Sequence, residues 1–466
     1  MASLIQRIYW RLPYFAKCWI ASHSARKSGR FRYGPQYELF VKEISERDSW
    51  SAEQFAEYQQ RELQKIVGIA AANTPYYRKL FSQHGIAAED IRGLDDLQKL
   101  PILEKETVRT HSESMVDETR DRGELTIIST SGTTGTPLGI YRSAREESMA
   151  FALGDARSHA VAGMCRRRNR SVSLGGQLVA APNRSRPPFW VLNRRWNQLY
   201  MSSYHLAPDH LRHYVDALRR FGPEYMEGYP SSVYAIARHI IDNSLPPVPM
   251  KACFTTAEAL FDYHRQAIRE AFGCRTYDQY GCGEQVVFAA ECEAGSMHLS
   301  PEVGIVEVVD DDDRVLGFGQ TGKLVCTGLV NRVHPFIRYR LGDLGALSSE
   351  PCSCGGSLPV LASMEGRIDA AVVTRDGRRI SRLGRIFKGA ASIAEAQIVQ
   401  DDYDKFRIRI VPAGDYTDED GRVLIDNLAQ RVGRVDISVE TVDEIERTAN
   451  GKFRAVVCNL PEDKRM

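Results

Sequence analysis

A chain of 466 residues, 43% hydrophobic and 26% charged, has the composition of a folded globular protein and enough length for two or three separate cores. Its 61 Lys and Arg stand against 60 Asp and Glu, a formal charge of +1, which removes any global electrostatic case for nucleic acid or an anionic membrane as partner. Ten cysteines lie without a dense disulfide framework, no secretory leader is visible and no run is apolar enough to span a bilayer, so a reducing cytoplasm is the expected setting.

From Leu4 to Ile20, residues Ile5, Ile8, Tyr9, Leu12, Phe15 and Trp19 recur close to one helix face, with basic residues between them. Pro13 interrupts the pattern, and packing on the protein's own body is expected in preference to peripheral membrane contact. Ser51 to Gly68 reads as a capped helix with Glu53 just inside its start, and Asn73-Thr74-Pro75-Tyr76-Tyr77 ends it with two packing tyrosines. Residues 1–96 are therefore expected as a helical segment packed on a large domain at 97–368.

After Leu97 the pattern alternates between strands and helices, an α/β layout, with helices over 145–163 and 231–243 and strands over 171–174 and 251–256. Within it, Ser129 to Pro137 packs hydroxyls and two glycines between two strand-like runs, 124–128 and 138–141, which should pair antiparallel. Glycines let backbone N–H groups approach an anion and the Ser and Thr hydroxyls add donors, so Ser131, Gly132, Thr133, Thr134, Gly135 and Thr136 read as a phosphate cradle. The plain alternative is a polar hairpin loop; a Walker loop is excluded because no Gly-Lys-Ser/Thr opens a helix at the required spacing. Gly175 to Tyr204, rich in Arg, Pro and aromatics with no clear period, is expected as a long loop.

Two strand ends present polar groups: Thr255-Thr256-Ala257-Glu258, and Tyr280-Gly281-Cys282-Gly283-Glu284. Binding loops collect at the carboxyl edges of such strands, so both segments are ligand candidates. Tyr280 offers a flat face to a base and Glu284 a hard oxygen to Mg²⁺, although a strand followed by a turn would look the same. Cys292, His298, Cys352 and Cys354 supply three thiols and an imidazole, a set suited to tetrahedral, structural zinc; unrelated buried cysteines are the alternative. Asp343, expected just after a strand on a glycine turn, could accept both hydroxyls of a ribose, or else pair with Arg338 or Arg340. Past Gly366-Arg367-Ile368-Asp369 the texture changes to a small α+β domain over 369–466, with a helix near 418–433, a strand near 437–441 and a terminal turn, Asn450-Gly451-Lys452.

In their order along the chain, the Ser/Thr/Gly loop, the aromatic-Gly-x-x-Glu strand end, Tyr-Arg-x-Gly-Asp (339–343), Gly-Arg-x-Asp (366–369) and Asn-Gly-Lys (450–452) resemble the adenylate-forming superfamily of acyl-CoA synthetases. The Cys/His set and Glu227-Gly228-Tyr229-Pro230 look most like its phenylacetate-CoA ligase branch and capsule-biosynthesis relatives. The resemblance implies a large N-terminal domain of layered α/β sheets and a smaller mobile C-terminal domain. It gives the 131–136 loop to the ATP phosphates, Ala257, Glu258 and Tyr280 to adenine, Glu284 to Mg²⁺, Asp343 to ribose, Arg367 to the nucleotide, Asp369 to the hinge and Lys452 to the α-phosphate. It also implies zinc at the Cys/His set. Leu138 and Gly356 depart from the family, standing where relatives often carry lysine and arginine. The reaction implied is attack of a small-molecule carboxylic acid, as its carboxylate, on the α-phosphate of ATP, giving the acyl-adenylate and pyrophosphate, then acyl transfer to a thiol such as CoA. The other readings are transfer to a glycan, amine or hydroxyl in polysaccharide biosynthesis, and a non-catalytic nucleotide-binding relative.

Overall fold

The computed structural model describes residues 4–129, 138–177, 179–181 and 184–367, and of the C-terminal stretch 372–375, 379–380, 383, 386, 393–412, 416–433, 435–447 and 453–461. Two compact units share the chain: Ser24–Cys165 with Tyr277–Met364, and Met1–His23 with Arg166–Thr276 and Glu365–Met466.

The first of these is built on strands in the spatial order Gly304–Val309, Gly322–Gly328, Tyr339–Leu347, Val360–Arg367, Met297–Leu299 and Phe288–Glu291, with Arg275–Gly281 beside the last. Gly304–Val309 with Gly322–Gly328, Gly322–Gly328 with Tyr339–Leu347, and Met297–Leu299 with both Val360–Arg367 and Phe288–Glu291 pair antiparallel, and Gly304–Val309 and Gly322–Gly328 are largely buried. One cover is the helix Ala52–Asn73. Ser51 and Gln54 cap it reciprocally, and Phe55, Tyr58, Leu63, Ile66, Val67 and Ala70 recur on its buried face. It runs on past Gly68 to the residue before Thr74-Pro75, where the restriction on the residue preceding proline stops it. The paired tyrosines do pack: Tyr77 is buried, and its hydroxyl donates to Pro335 O at 3.2 Å while accepting from Ile337 N at 3.0 Å.

The second unit holds four parallel strands in the order Ala252–Thr256, Tyr225–Gly228, Ser171–Gly175 and Gln198–Ser202, with Trp190–Asn193 antiparallel at the edge. The stretch expected as a long loop thus contains a hairpin, closed by Asn197 at φ 47°, a conformation Asn tolerates. The helices Pro208–Phe221, Pro230–Asp242 and Asp262–Phe272 bury their apolar faces in one core with Val172, Met226 and Cys253. At Gly228 a Cβ would lie 2.6 Å from Leu174 O, so adjacent strands admit only glycine there.

The helix expected over 145–163 is true α only at Ala144–Leu153; it widens into a π turn at Gly154–Ser158 and tightens to 3₁₀ at His159–Ala162. The C-terminal stretch is α+β as read: strands Asp436–Thr441, Lys405–Pro412, Ile393–Asp402 and Val456–Cys458 lie side by side, and the helix Asp418–Val432 buries Leu424 and Leu428 with Ile398, Phe406 and Ile408. Tyr263 packs against this core, and the Tyr234 hydroxyl donates to Ile393 O.

Because Tyr77 satisfies a buried N–H and a buried carbonyl just before the strand that carries Asp343, Tyr77→Phe should lower unfolding stability by about 1–3 kcal/mol, read from the urea midpoint.

Candidate functional site

Tyr280 comes at the end of the strand Arg275–Gly281, and its hydroxyl donates to Asp343 Oδ2 at 2.8 Å. Burial, then the neighbouring carboxylate, pushes the Tyr280 hydroxyl well above its ordinary value, so it stays a donor. Asp343 does not follow a strand, as expected, but lies inside Tyr339–Leu347. The strand continues because it bulges: Lys323 faces Leu344 and Val325 faces Arg340, so Leu324 alone stands opposite Leu341, Gly342 and Asp343, with Gly342 at φ +81°. The arginines considered as partners for Asp343 are engaged elsewhere, Arg338 bidentate with Glu307 and Arg340 with Glu104 and Asp313.

Glu284, 6% exposed, accepts from the Tyr339 hydroxyl at 3.1 Å through Oε1. Arg142 bonds the carbonyl of Gly283 and Glu147, fixing the segment before Glu284 to the strand Gly139–Arg142. That strand pairs antiparallel with Thr126–Ser129, as the sequence predicts, and is clipped through both backbone groups of Tyr141: its N–H to His334 Nδ1 (3.3 Å), its carbonyl to Asn331 Nδ2 (3.0 Å). The loop carrying Ser131, Gly132, Thr133, Thr134, Gly135 and Thr136 lies outside the described residues. Tyr339 opens the Tyr-Arg-x-Gly-Asp motif and so had a signal; Arg142, whose partner is 141 residues away, had none.

In the other unit, Ala257 sits at φ +70° and turns the chain so that the Glu258 carboxylate accepts from Ser231 N (3.2 Å) and Phe453 N (2.6 Å). Burial raises the Glu258 pKa, and these two N–H groups oppose the rise. Ser231 lies in the first turn of the helix Pro230–Asp242, where the helix dipole favours an anion. Arg447 pairs with Glu395 and lies 4.8 Å from the Phe453 ring centre. Lys452 and Asp369 lie outside the described residues, as does the side chain of Arg367. Non-glycine residues with positive φ recur beside the site groups: Ala257 before Glu258, Gln285 after Glu284 and Arg338 before Tyr339. Backbone held this way costs about 1–3 kcal/mol per residue and persists where surrounding bonds over-determine it.

Cys292, His298, Cys352 and Cys354 converge, with one ligand atom from each lying within 4.8 Å of the others. Cys292 Sγ is 3.7 Å from Cys352 Sγ and Cys354 Sγ is 3.4 Å from His298 Nε2. Tetrahedral zinc would set these separations at about 3.8 and 3.6 Å. His298 Nδ1 lies 2.9 Å from Leu358 O, which fixes the tautomer that leaves Nε2 free to ligate. Hydrogen bonds from Ser296 and the backbone of Cys354 pull the Cys352 thiol down to about 6, whereas burial pushes the Cys354 thiol up to about 11, so the geometry rather than the thiol acidities favours a metal. The donor set therefore fits zinc.

Residues 56–330 match the AMP-binding enzyme family, and residues 372–459 match the CapK C-terminal domain. The chain belongs to the AMP-binding enzyme family. Protein CapK of Staphylococcus aureus is 25% identical over 471 residues, covering 98% of this chain and 100% of CapK. The phenylacetate-coenzyme A ligase of Thermus thermophilus is 26% identical over 324 residues, covering 68% and 71%. A solved 2-hydroxyisobutyryl-CoA ligase in the postadenylation state, bound to 2-HIB-AMP, shares the fold at TM-score 0.71 and 23% identity, over 88% of this chain and 91% of that one. This AMP-binding enzyme is an adenylate-forming ligase of the CapK and phenylacetate-CoA ligase branch: it activates a carboxylic acid with ATP as the acyl-adenylate, releases pyrophosphate and transfers the acyl group. Among its described residues no helix is long and apolar enough to cross a membrane.

Burial holds His334 neutral, its pKa pushed down to about 3, while its Nδ1 accepts the Tyr141 N–H. The unfolded chain takes up this proton near pH 6.5 and the folded chain does not, so the associated stability is complete above pH 6.5 and is lost as pH falls toward 3. Between pH 7.5 and 5 the wild type should lose about 2 kcal/mol that His334→Gln does not lose, measured as the difference in their urea midpoints.

Proposed function

We propose that the acyl acceptor is the thiol of CoA and that the residues read from the sequence perform the two half-reactions. Likeness to phenylacetate-coenzyme A ligase supports the acceptor, and what supports the residue roles is the bond from Phe453 N–H to the Glu258 carboxylate, which ties the residue after Lys452 to the strand end assigned to adenine. In the proposal, the 131–136 loop wraps the phosphates, Ala257, Glu258 and Tyr280 line the base, Asp343 takes the ribose hydroxyls and Arg367 steadies the nucleotide. Supporting Asp343 is its bond to Tyr280: a nucleotide would meet a carboxylate already aimed by a protonated phenol. Lys452 would meet the α-phosphate as the substrate carboxylate attacks, placing a cation where two anions must approach. Glu284, held by Tyr339, would bind Mg²⁺, which when present neutralises phosphate charge. Once the adenylate forms, movement of the C-terminal domain would withdraw Lys452 and admit the thiol. The Cys/His set would hold structural zinc, since protein fills all four positions. A reducing cytoplasm suits cysteines that form no disulfide among the described residues.

One observation favours a second acceptor, a glycan hydroxyl or amine in polysaccharide assembly: likeness to CapK runs the whole chain, including its C-terminal domain, whereas phenylacetate-CoA ligase covers 68%. Pyrophosphate exchange across aryl, fatty and sugar acids, followed by single-turnover transfer to CoA, tests the main reading. An acid that supports exchange but whose adenylate ignores CoA would favour the second.

With the acid in hand, Lys452→Ala should slow exchange about a hundredfold or more and leave transfer from a synthetic adenylate nearly unchanged. Equal slowing of both steps would remove the moving lysine. Asp343→Ala should weaken ATP binding by about 1.5–3 kcal/mol per lost charged hydrogen bond, measured by calorimetry. Protein purified without chelators should carry about one zinc per chain by elemental analysis, and Cys352→Ser with Cys354→Ser should abolish it and lower the melting temperature.

A further inference from the structure

The N-terminal helices turn the wrong residues outward for a segment docked on its own protein. Leu4–Arg11 and Tyr14–Arg32 are separated at Pro13, and in the second helix Lys17, Cys18 and Ala25 are buried. Lys17 reaches back to the carbonyl of Trp10 at 3.0 Å, closing the end of the first helix. Phe15 and Trp19, one turn apart, are instead 75% and 66% exposed, and Ile8 of the first helix is 56% exposed. Trp19 stacks on exposed His23 at 5.1 Å, and Arg26 continues the same face. Tyr14 also lines an open groove of about 610 Å³ with a mixed wall, apolar at Pro187 and Trp190 and charged at Asp216 and Arg220.

Charge is segregated here too. Residues 1–37 contain seven Lys and Arg and no Asp or Glu, leaving 54 basic against 60 acidic residues over the rest of the chain. Of the seven, Arg11 and Arg26 are exposed beside the aromatic face, whereas Lys17 is buried on the Trp10 carbonyl and Arg32 pairs with Glu147, so the near-zero net charge conceals two exposed cations next to Phe15 and Trp19. A face built this way repels a second copy of itself across a two-fold axis, and its cations would add nothing on an uncharged partner. An anionic bilayer surface satisfies both halves: headgroups take the cations, and the interfacial zone takes Phe and Trp rings.

We infer that the outer face of the helix Tyr14–Arg32, with Phe15 and Trp19 as its apolar wedge, docks this enzyme on an anionic lipid bilayer. The binding is peripheral and independent of which acyl acceptor the enzyme uses.

The test is flotation of the full chain with vesicles of phosphatidylcholine alone or with phosphatidylglycerol added. Binding should favour the anionic vesicles at least about tenfold and weaken steeply as salt is raised. Phe15→Ser with Trp19→Ser should reduce it about tenfold or more without moving the thermal melt, since both side chains are exposed. Arg11→Glu with Arg26→Glu should do the same by removing the attraction. Absence of vesicle binding, or undiminished binding by the aromatic variant, overturns the inference. So does a concentration-dependent dimer that the aromatic variant abolishes while vesicles bind neither protein, which would give the face to a second copy.

Discussion

The carboxylate of Glu258 is the fastening on which the arrangement of its unit turns. It receives one N–H from the start of the helix Pro230–Asp242 and another from Phe453, 195 residues further along. An ionised carboxylate at this depth is tolerated only when such donors replace water, and one at a helix N-terminus adds a favourable dipole. The dependence runs both ways: without the carboxylate two backbone donors lose their partner, and without Phe453 the carboxylate loses one of the groups that oppose the rise in its pKa. Three segments distant in sequence are thus held by one side chain.

The other unit uses the same economy with neutral donors. The phenols of Tyr280 and Tyr339 donate to the carboxylates of Asp343 and Glu284 and so fix where they point. Backbone strain sits beside these groups, at Gln285 and Arg338, and buried bonds restrain it: Arg338 alone makes contacts to Glu307, Thr327 and Leu100. Such a frame fixes the side chains before any ligand arrives, so binding need not order them.

The sequence carried most of what is local. Ser51 announced a capped helix, the hydroxyl-rich loop announced the hairpin around it, and Tyr339 to Asp343 stood out as one motif. What it hid depends on distance or on unusual backbone. The hairpin Trp190–Ser202 escaped because its turn has no glycine and Asn197 adopts the left-handed conformation instead. The bulge that keeps Asp343 within its strand is defined only against Leu324 on the neighbouring strand. The clip from Asn331 and His334 to Tyr141, and the reach of Arg142 to Gly283, join residues with no periodicity in common. Likewise the helical spacing of Phe15 and Trp19 gave a face but not the direction it points, because burial of Lys17 depends on a carbonyl in the preceding helix.

The strand Val360–Arg367 lies between Tyr339–Leu347 and Met297–Leu299, yet it is the last of that set to leave the ribosome. Until it emerges, Met297–Leu299 and Tyr339–Leu347 each present an unpaired edge, and residues 300–338 between them must remain looped without the pairing that rewards the closure. Synthesis at about 5–20 residues per second makes the interval between the end of Tyr339–Leu347 and the end of Val360–Arg367 about 1–4 seconds long. The sheet behind Asp343 is therefore completed by a late insertion rather than by successive hairpins, and the nascent chain is most exposed to edge-to-edge association just before its strand of closure is made.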